Sequence, residues 1–167
     1  GTLQNEQQAF ALVCTGTTLP LQPALLQLKV WLQGAFSPVS QQMSTVLNAE
    51  RLLPLQSPYA AAPAQVTTLT ADIVDWVLIE LQNSTTDESV LNKSVLLRQD
   101  GMVVDAATLS TSLALPVPAG TYNIVLRHRN HLPIRSSHPY YFSNGITTFW
   151  DTSLAGQIGR ASCRERV

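Results

Sequence analysis

The 167 residues suffice for one domain with a sizeable core, yet charged side chains make up only 13% of them, against a usual share of about 25%. A formal net charge of −1 leaves no basic stripe to neutralise phosphates, which argues against nucleic-acid binding. No apolar run approaches the roughly 20 residues of a membrane-spanning helix. Ser, Thr, Asn and Gln stand where charges would be, a balance common among exported β-proteins.

Residues 1–24 read as the end of a preceding region or a linker, with one candidate strand at Ala9–Cys14. Beginning at Gly1 without Met, the chain looks like part of something longer. The apolar stretch Gln8–Cys14 is short and follows Glu6, so it is not read as an export signal. Cys14 reads as a small buried hydrophobe without a disulfide partner. From Leu25 to Gln33 the sequence alternates: Leu26, Leu28, Val30 and Leu32 share one face, and Gln27, Lys29, Trp31 and Gln33 the other. That period of two predicts a half-buried strand with an aromatic on its wetter side. Ser37-Pro38 with Val39, Met43, Val46 and Leu47 predicts at most one short helix, or a turn, near 38–48. Leu52–Tyr59, with two prolines, is expected to be an extended edge segment covering one end of the core.

Ala71–Leu81 is the strongest strand. Val77, Ile79 and Leu81 fall on one face and Val74, Trp76 and Leu78 on the other, so it is expected in the middle of a sheet with both faces buried. Val90–Gln99 and Met102–Val104 flank Asp100-Gly101, read as a two-residue hairpin turn with positive φ at both positions. After the proline–glycine turn at 116–120, Tyr122–Leu126 is the next core strand. Tyr140–Phe142 and Thr147–Trp150 follow around Asn144-Gly145. Seven or eight short strands with turns every ten or so residues predict an all-β, antiparallel β-sandwich over residues 25–156. The basic end, 157–167, lacks strand period, resembles a recurrent cloning or adapter tail, and is set apart from the fold.

Motifs of catalysis are missing: no Gly-x-Ser-x-Gly elbow, no His-Glu-x-x-His, no phosphate-cradling glycine loop. His128 and His131, three apart, would point to opposite faces of a strand; on a turn they could converge, with His138 beside them, but Arg127 and Arg129 oppose a divalent cation there. No metal and no cofactor is expected. Asp75 and Glu80 interrupt the apolar strand, and an unpaired buried charge costs several kcal/mol. Arg127 or Arg129 is therefore expected to pair with Asp75 or Glu80 and hold two central strands in register. Periodicity argues that Asp75, Glu80 and His128 do not converge as a catalytic set. Trp31 and Tyr141 are the candidate ligand-contact aromatics, with core packing the default for large apolar residues.

Ile73–Leu81, Leu96–Asp105, Val117–Tyr122 and Val125–Leu132 stand in the order of a pattern that Lys29–Phe36 and Leu52–Tyr59 also fit. Together, over Leu25 to Asp151, they resemble a module near the C-terminus of large secreted or surface proteins of bacteria, many with adhesin-like or hemagglutinin-like labels. The resemblance implies an exported, non-catalytic, Ig-like or prealbumin-like sandwich, and it offers no catalytic residues to carry over. The expectation is a structural or adhesive module, extracellular or at the cell surface. Its expected partners are the neighbouring domains of a longer chain and surface glycans or proteins. A carbohydrate-binding module attached to a secreted hydrolase is the alternative.

Overall fold

The computed structural model describes residues 22–159. The candidate strand at Ala9–Cys14, the reading of Cys14 and residues 160–167 of the tail lie outside the described residues. The described residues form an all-β sandwich with eleven short strands and one short helix. In chain order these are β1 (Ala24–Lys29), β2 (Phe36–Ser37), β3 (Gln42–Met43), α1 (Val46–Ala49), β4 (Ile73–Asn83), β5 (Ser89–Arg98), β6 (Val103–Asp105), β7 (Leu113–Leu115), β8 (Gly120–His128), β9 (His131–Arg135), β10 (Tyr140–Phe142) and β11 (Thr147–Asp151).

One sheet has the order β11-β1-β7, and the larger one runs β10-β8-β4-β5-β6 with β9 also on β8. Every pairing is antiparallel except β1 with β11. β10 and β11 therefore do not form a hairpin around Asn144-Gly145; that turn carries the chain from one sheet to the other. β9 and β10 lie along the same edge of β8. Ser136 fills the break between them, donating its N–H to Ile124 O at 2.8 Å and accepting the Ile124 N–H on Oγ at 3.1 Å.

The main core lies between the sheets. Leu26 and Leu28 from β1, Trp150 from β11, Ile79 and Leu81 from β4, and Phe142 from β10 are buried there. A second cluster, with Trp76, Ile73, Leu96 and Val104, covers the opposite face of the large sheet. It is completed by Leu53 and Val66 from the long connection between α1 and β4. That connection is not the edge segment expected from its prolines: it lies across a sheet face. Trp76 Nε1 donates to Pro54 O at 2.8 Å, and the Tyr59 hydroxyl is shared between Trp76 O and Arg127 O at 3.2 and 3.3 Å. Burial pushes the Tyr59 phenol up to about 12, so it stays a donor at any ordinary pH.

β4 carries a bulge. Ile73 opposes Arg98 and Asp75 opposes Leu97, so Val74 is an extra residue on β4. Strict alternation puts Val74 with Trp76; the bulge shifts it to the inter-sheet core with Val77, while Ile73 joins Trp76. Of the short helix or turn expected near 38–48, Val46–Ala49 is helical; the small β2–β3 ribbon precedes it, with Gln41 at a φ of 53° and Val39 fully out in solvent. Two pairs of paired backbone positions and a turn satisfy the chain there because Met43, not Val39, reaches the core.

The β5–β6 turn also differs from the two-residue form. Gly101 alone has positive φ, 84°, and donates its N–H to Arg98 O, while Arg98 N–H reaches Met102 O. This is a three-residue loop ending in a left-handed glycine. Both Asp100 oxygens are engaged, one by the Met102 N–H and one by Arg98. Gly101 O accepts Val30 N–H at 2.8 Å, tying this turn to the end of β1, and a Cβ on Gly101 would stand 3.1 Å from Val30 O. Gly101→Ala therefore combines a disfavoured φ with a close contact. It should cost about 1–3 kcal/mol in urea unfolding; an unchanged midpoint would show that the turn does not hold the two sheets together.

Tyr122 bends back over its own strand entry, its hydroxyl donating to Pro118 O at 3.0 Å. Corner tyrosines of this kind recur in Greek-key sandwiches. A Cβ at position 120 would lie 3.2 Å from that hydroxyl, which explains glycine there. Finally, Gln157 and Gly159, grouped with the tail in the sequence, are hydrogen-bonded to the fold. Gly159 N–H donates to Arg135 O, Trp150 Nε1 to Gln157 O, and the Tyr140 hydroxyl to Gln157 Oε1.

Candidate functional site

β8 stops at His128, and the chain turns over Arg129 and Asn130 into β9, so His128 and His131 become directly opposed cross-strand partners. Of the two arrangements open from the sequence, opposite faces of a strand or convergence on a turn, the structure has the turn. The turn brings their rings to 4.8 Å between centroids and their Nδ1 atoms to 2.9 Å. Asn130, of a type favoured in turns, is the sequence signal for this.

The β4 bulge presents Asp75 to the same turn. Asp75 is 2% exposed and accepts Trp76 N–H on Oδ1 at 2.7 Å. Arg129 grips both carboxylate oxygens through Nη2 at 3.1 and 2.9 Å, adding Nε at 3.2 Å. His128 Nε2 lies 3.2 Å from Oδ2. Burial alone would raise the Asp75 carboxyl; the hydrogen bonds from His128, Trp76 N–H and Arg129, with the guanidinium charge, outweigh it and hold the group below its ordinary value.

Hydrogen bonding orders the imidazoles. Asn130 N–H donates to His128 Nδ1 at 3.2 Å, so that nitrogen is the acceptor and Nε2 carries the proton given to Asp75. His131 must then donate from its own Nδ1, which leaves its Nε2 lone pair free. Burial, reinforced by the neighbouring His128, lowers the His131 pKa and favours its neutral form.

Glu80 stands apart from this cluster. It accepts Arg127 Nε on Oε2 at 2.7 Å and Gln82 Nε2 on Oε1 at 2.9 Å, beside a cavity of about 610 Å³ that Asp87 and Arg135, themselves paired at 2.6 Å, also line. Of the four charged residues singled out from the sequence, the structure thus makes two separate cross-strand pairs, Arg129–Asp75 and Arg127–Glu80. His128 meets Asp75 but not Glu80. Among the described residues no three His, Cys, Asp or Glu side chains converge as a metal-ligand set.

The two candidate aromatics are not brought together. Tyr141, 65% exposed on β10, sits opposite Thr121 and lines neither cleft that Trp31 lines. Trp31 stands between two clefts just beyond the end of β1. One, about 640 Å³, is lined by Phe36, Gln41, Gln42 and Asp100; Phe36 meets the Trp31 ring edge-on at 4.8 Å, and Lys29 Nζ lies 5.3 Å from the ring centroid. The other, about 420 Å³, has Leu126 and Ile134 in its lining, with His128, Asn130, His131 and Gln33 as polar groups. Gln33 and Asn130 were not singled out from sequence, and His131 was weighed there only as a metal ligand, because only the β8–β9 turn places Asn130 and His131 beside Trp31.

No family model, curated protein or solved structure matches the chain.

Proposed function

We propose that the chain is a non-catalytic structural or adhesive module of a secreted or cell-surface bacterial protein. The observation that carries this reading is how the ionic groups are used. Asp75 and Glu80, the carboxylates best placed on core strands, each have both oxygens occupied by donors of the fold itself. A carboxylate so engaged braces strands rather than shuttling protons, since general acid–base work needs a group free to reach substrate. The sparse charge and the resemblance of the sequence support an exported setting.

A second reading, a carbohydrate-binding module attached to a secreted hydrolase, draws on Trp31, whose indole walls two clefts. Beads coated with the chain, tested on cells and on glycan- or protein-coated surfaces, decide for the adhesive role. Retention above uncoated beads without release of any product is expected; turnover of a polysaccharide by the pure chain would overturn the non-catalytic reading.

A further inference from the structure

We propose that the smaller cleft beside Trp31 binds one neutral sugar ring, with Trp31 and Leu132 against its C–H face and Gln33, Asn130 and His131 toward its hydroxyls. This deepens the carbohydrate-binding reading above and rests on it only for biological context. Three observations carry it.

First, the volume of about 420 Å³ falls within the range of small-ligand sites, roughly 300–1,000 Å³. Second, the lining combines apolar wall with groups that both give and take hydrogen bonds. Gln33 and Asn130 each offer a donor and an acceptor, as a sugar hydroxyl requires. His131 Nε2 has no hydrogen-bond partner among the described residues, although its Nδ1 is committed to His128. The Asp75–His128–His131 chain therefore fixes the tautomer and orientation of a ring whose outer nitrogen remains an acceptor. Third, no carboxylate, lysine or arginine lines this cleft, so a charged ligand would lose hydration without gaining a counter-charge. The adjoining cleft is less suited. Lys29 already lies over the Trp31 ring there, and an incoming sugar would have to displace it.

Calorimetry and ligand-observed NMR of the full chain with neutral hexoses, N-acetylhexosamines and their dimers test the proposal, with glucuronate and glucosamine as charged counterparts. Saturable binding of at least one neutral sugar is expected, weakened about tenfold or more by His131→Ala and by Trp31→Ala. Tyr141→Ala, outside the cleft, should leave it unchanged. Because Trp31 also contacts the fold, Leu132→Arg at the 72%-exposed rim serves as a variant that blocks entry without touching the core, and shift perturbations should map to 30–34 and 126–134. No binding of any neutral sugar, equal binding of the charged counterparts, or affinity indifferent to His131→Ala and Leu132→Arg would overturn it. Coated beads that adhere although no neutral sugar binds the chain would sink this inference and leave the adhesive reading standing. Sugar binding accompanied by hydrolysis would do the reverse.

Discussion

Replacing Asp75 with alanine should lower the unfolding free energy by about 3 kcal/mol, the lower part of the range for removing one partner of a buried ion pair. The carboxylate is fully enclosed, and its loss leaves Trp76 N–H, His128 Nε2 and the Arg129 guanidinium without their acceptor. Arg129, whose side chain is one-third exposed, can turn to water, which limits the loss. Asp75→Asn keeps the shape and removes the charge, so it isolates the electrostatic part. The pH dependence has a definite sign. A carboxyl held below its unfolded value of about 3.9 contributes stability above that pH and loses it as pH falls through the folded value. Urea midpoints at neutral pH should therefore separate wild type from Asp75→Asn, and the gap should close in acid. Equal midpoints at neutral pH would mean that the pair contributes nothing net.

Trp76→Ala should cost about 3–5 kcal/mol, as expected for truncating a large buried aromatic. Trp76 is fully buried under the connection that runs from α1 to β4, and its indole N–H holds Pro54 O. The variant should also loosen that connection locally. Proteolysis in the exposed stretch around 60–63 should accelerate more than the global destabilisation accounts for. Trp76→Phe keeps most of the packing and leaves Pro54 O unpaired, for a loss nearer 1 kcal/mol. If both variants unfold at the wild-type urea midpoint, the second cluster is not part of the stabilising core.

Both expectations rest on β4, and β4 shows how far alternation carries. Val77, Ile79 and Leu81 face the inter-sheet core, and Trp76 faces away from it, as period two dictates. At Val74 the rule fails, because one extra residue in a bulge resets the alternation, and nothing local in Ile73-Val74-Asp75 announces it. That same bulge carries Asp75 to the β8–β9 turn. The candidate cleft is the larger omission. Trp31 stands out in the sequence for sitting on a polar strand face, but Gln33 is one glutamine among many, and whether His131 meets His128 depends on whether a strand or a turn separates them.

Residue order alone thus settled the all-β class, the two-sided burial of β4 and the need of its carboxylates for basic partners, because period, turn residues and the cost of bare charge act locally or without regard to topology. Which guanidinium meets which carboxylate, where the proline-rich connection lies, and whether the histidines converge were decided by a bulge, a turn and the order of strands in the sheets. Those choices are fixed by cooperative packing between segments far apart in the chain, so only the folded arrangement brings Trp31, Asn130 and His131 to one cleft.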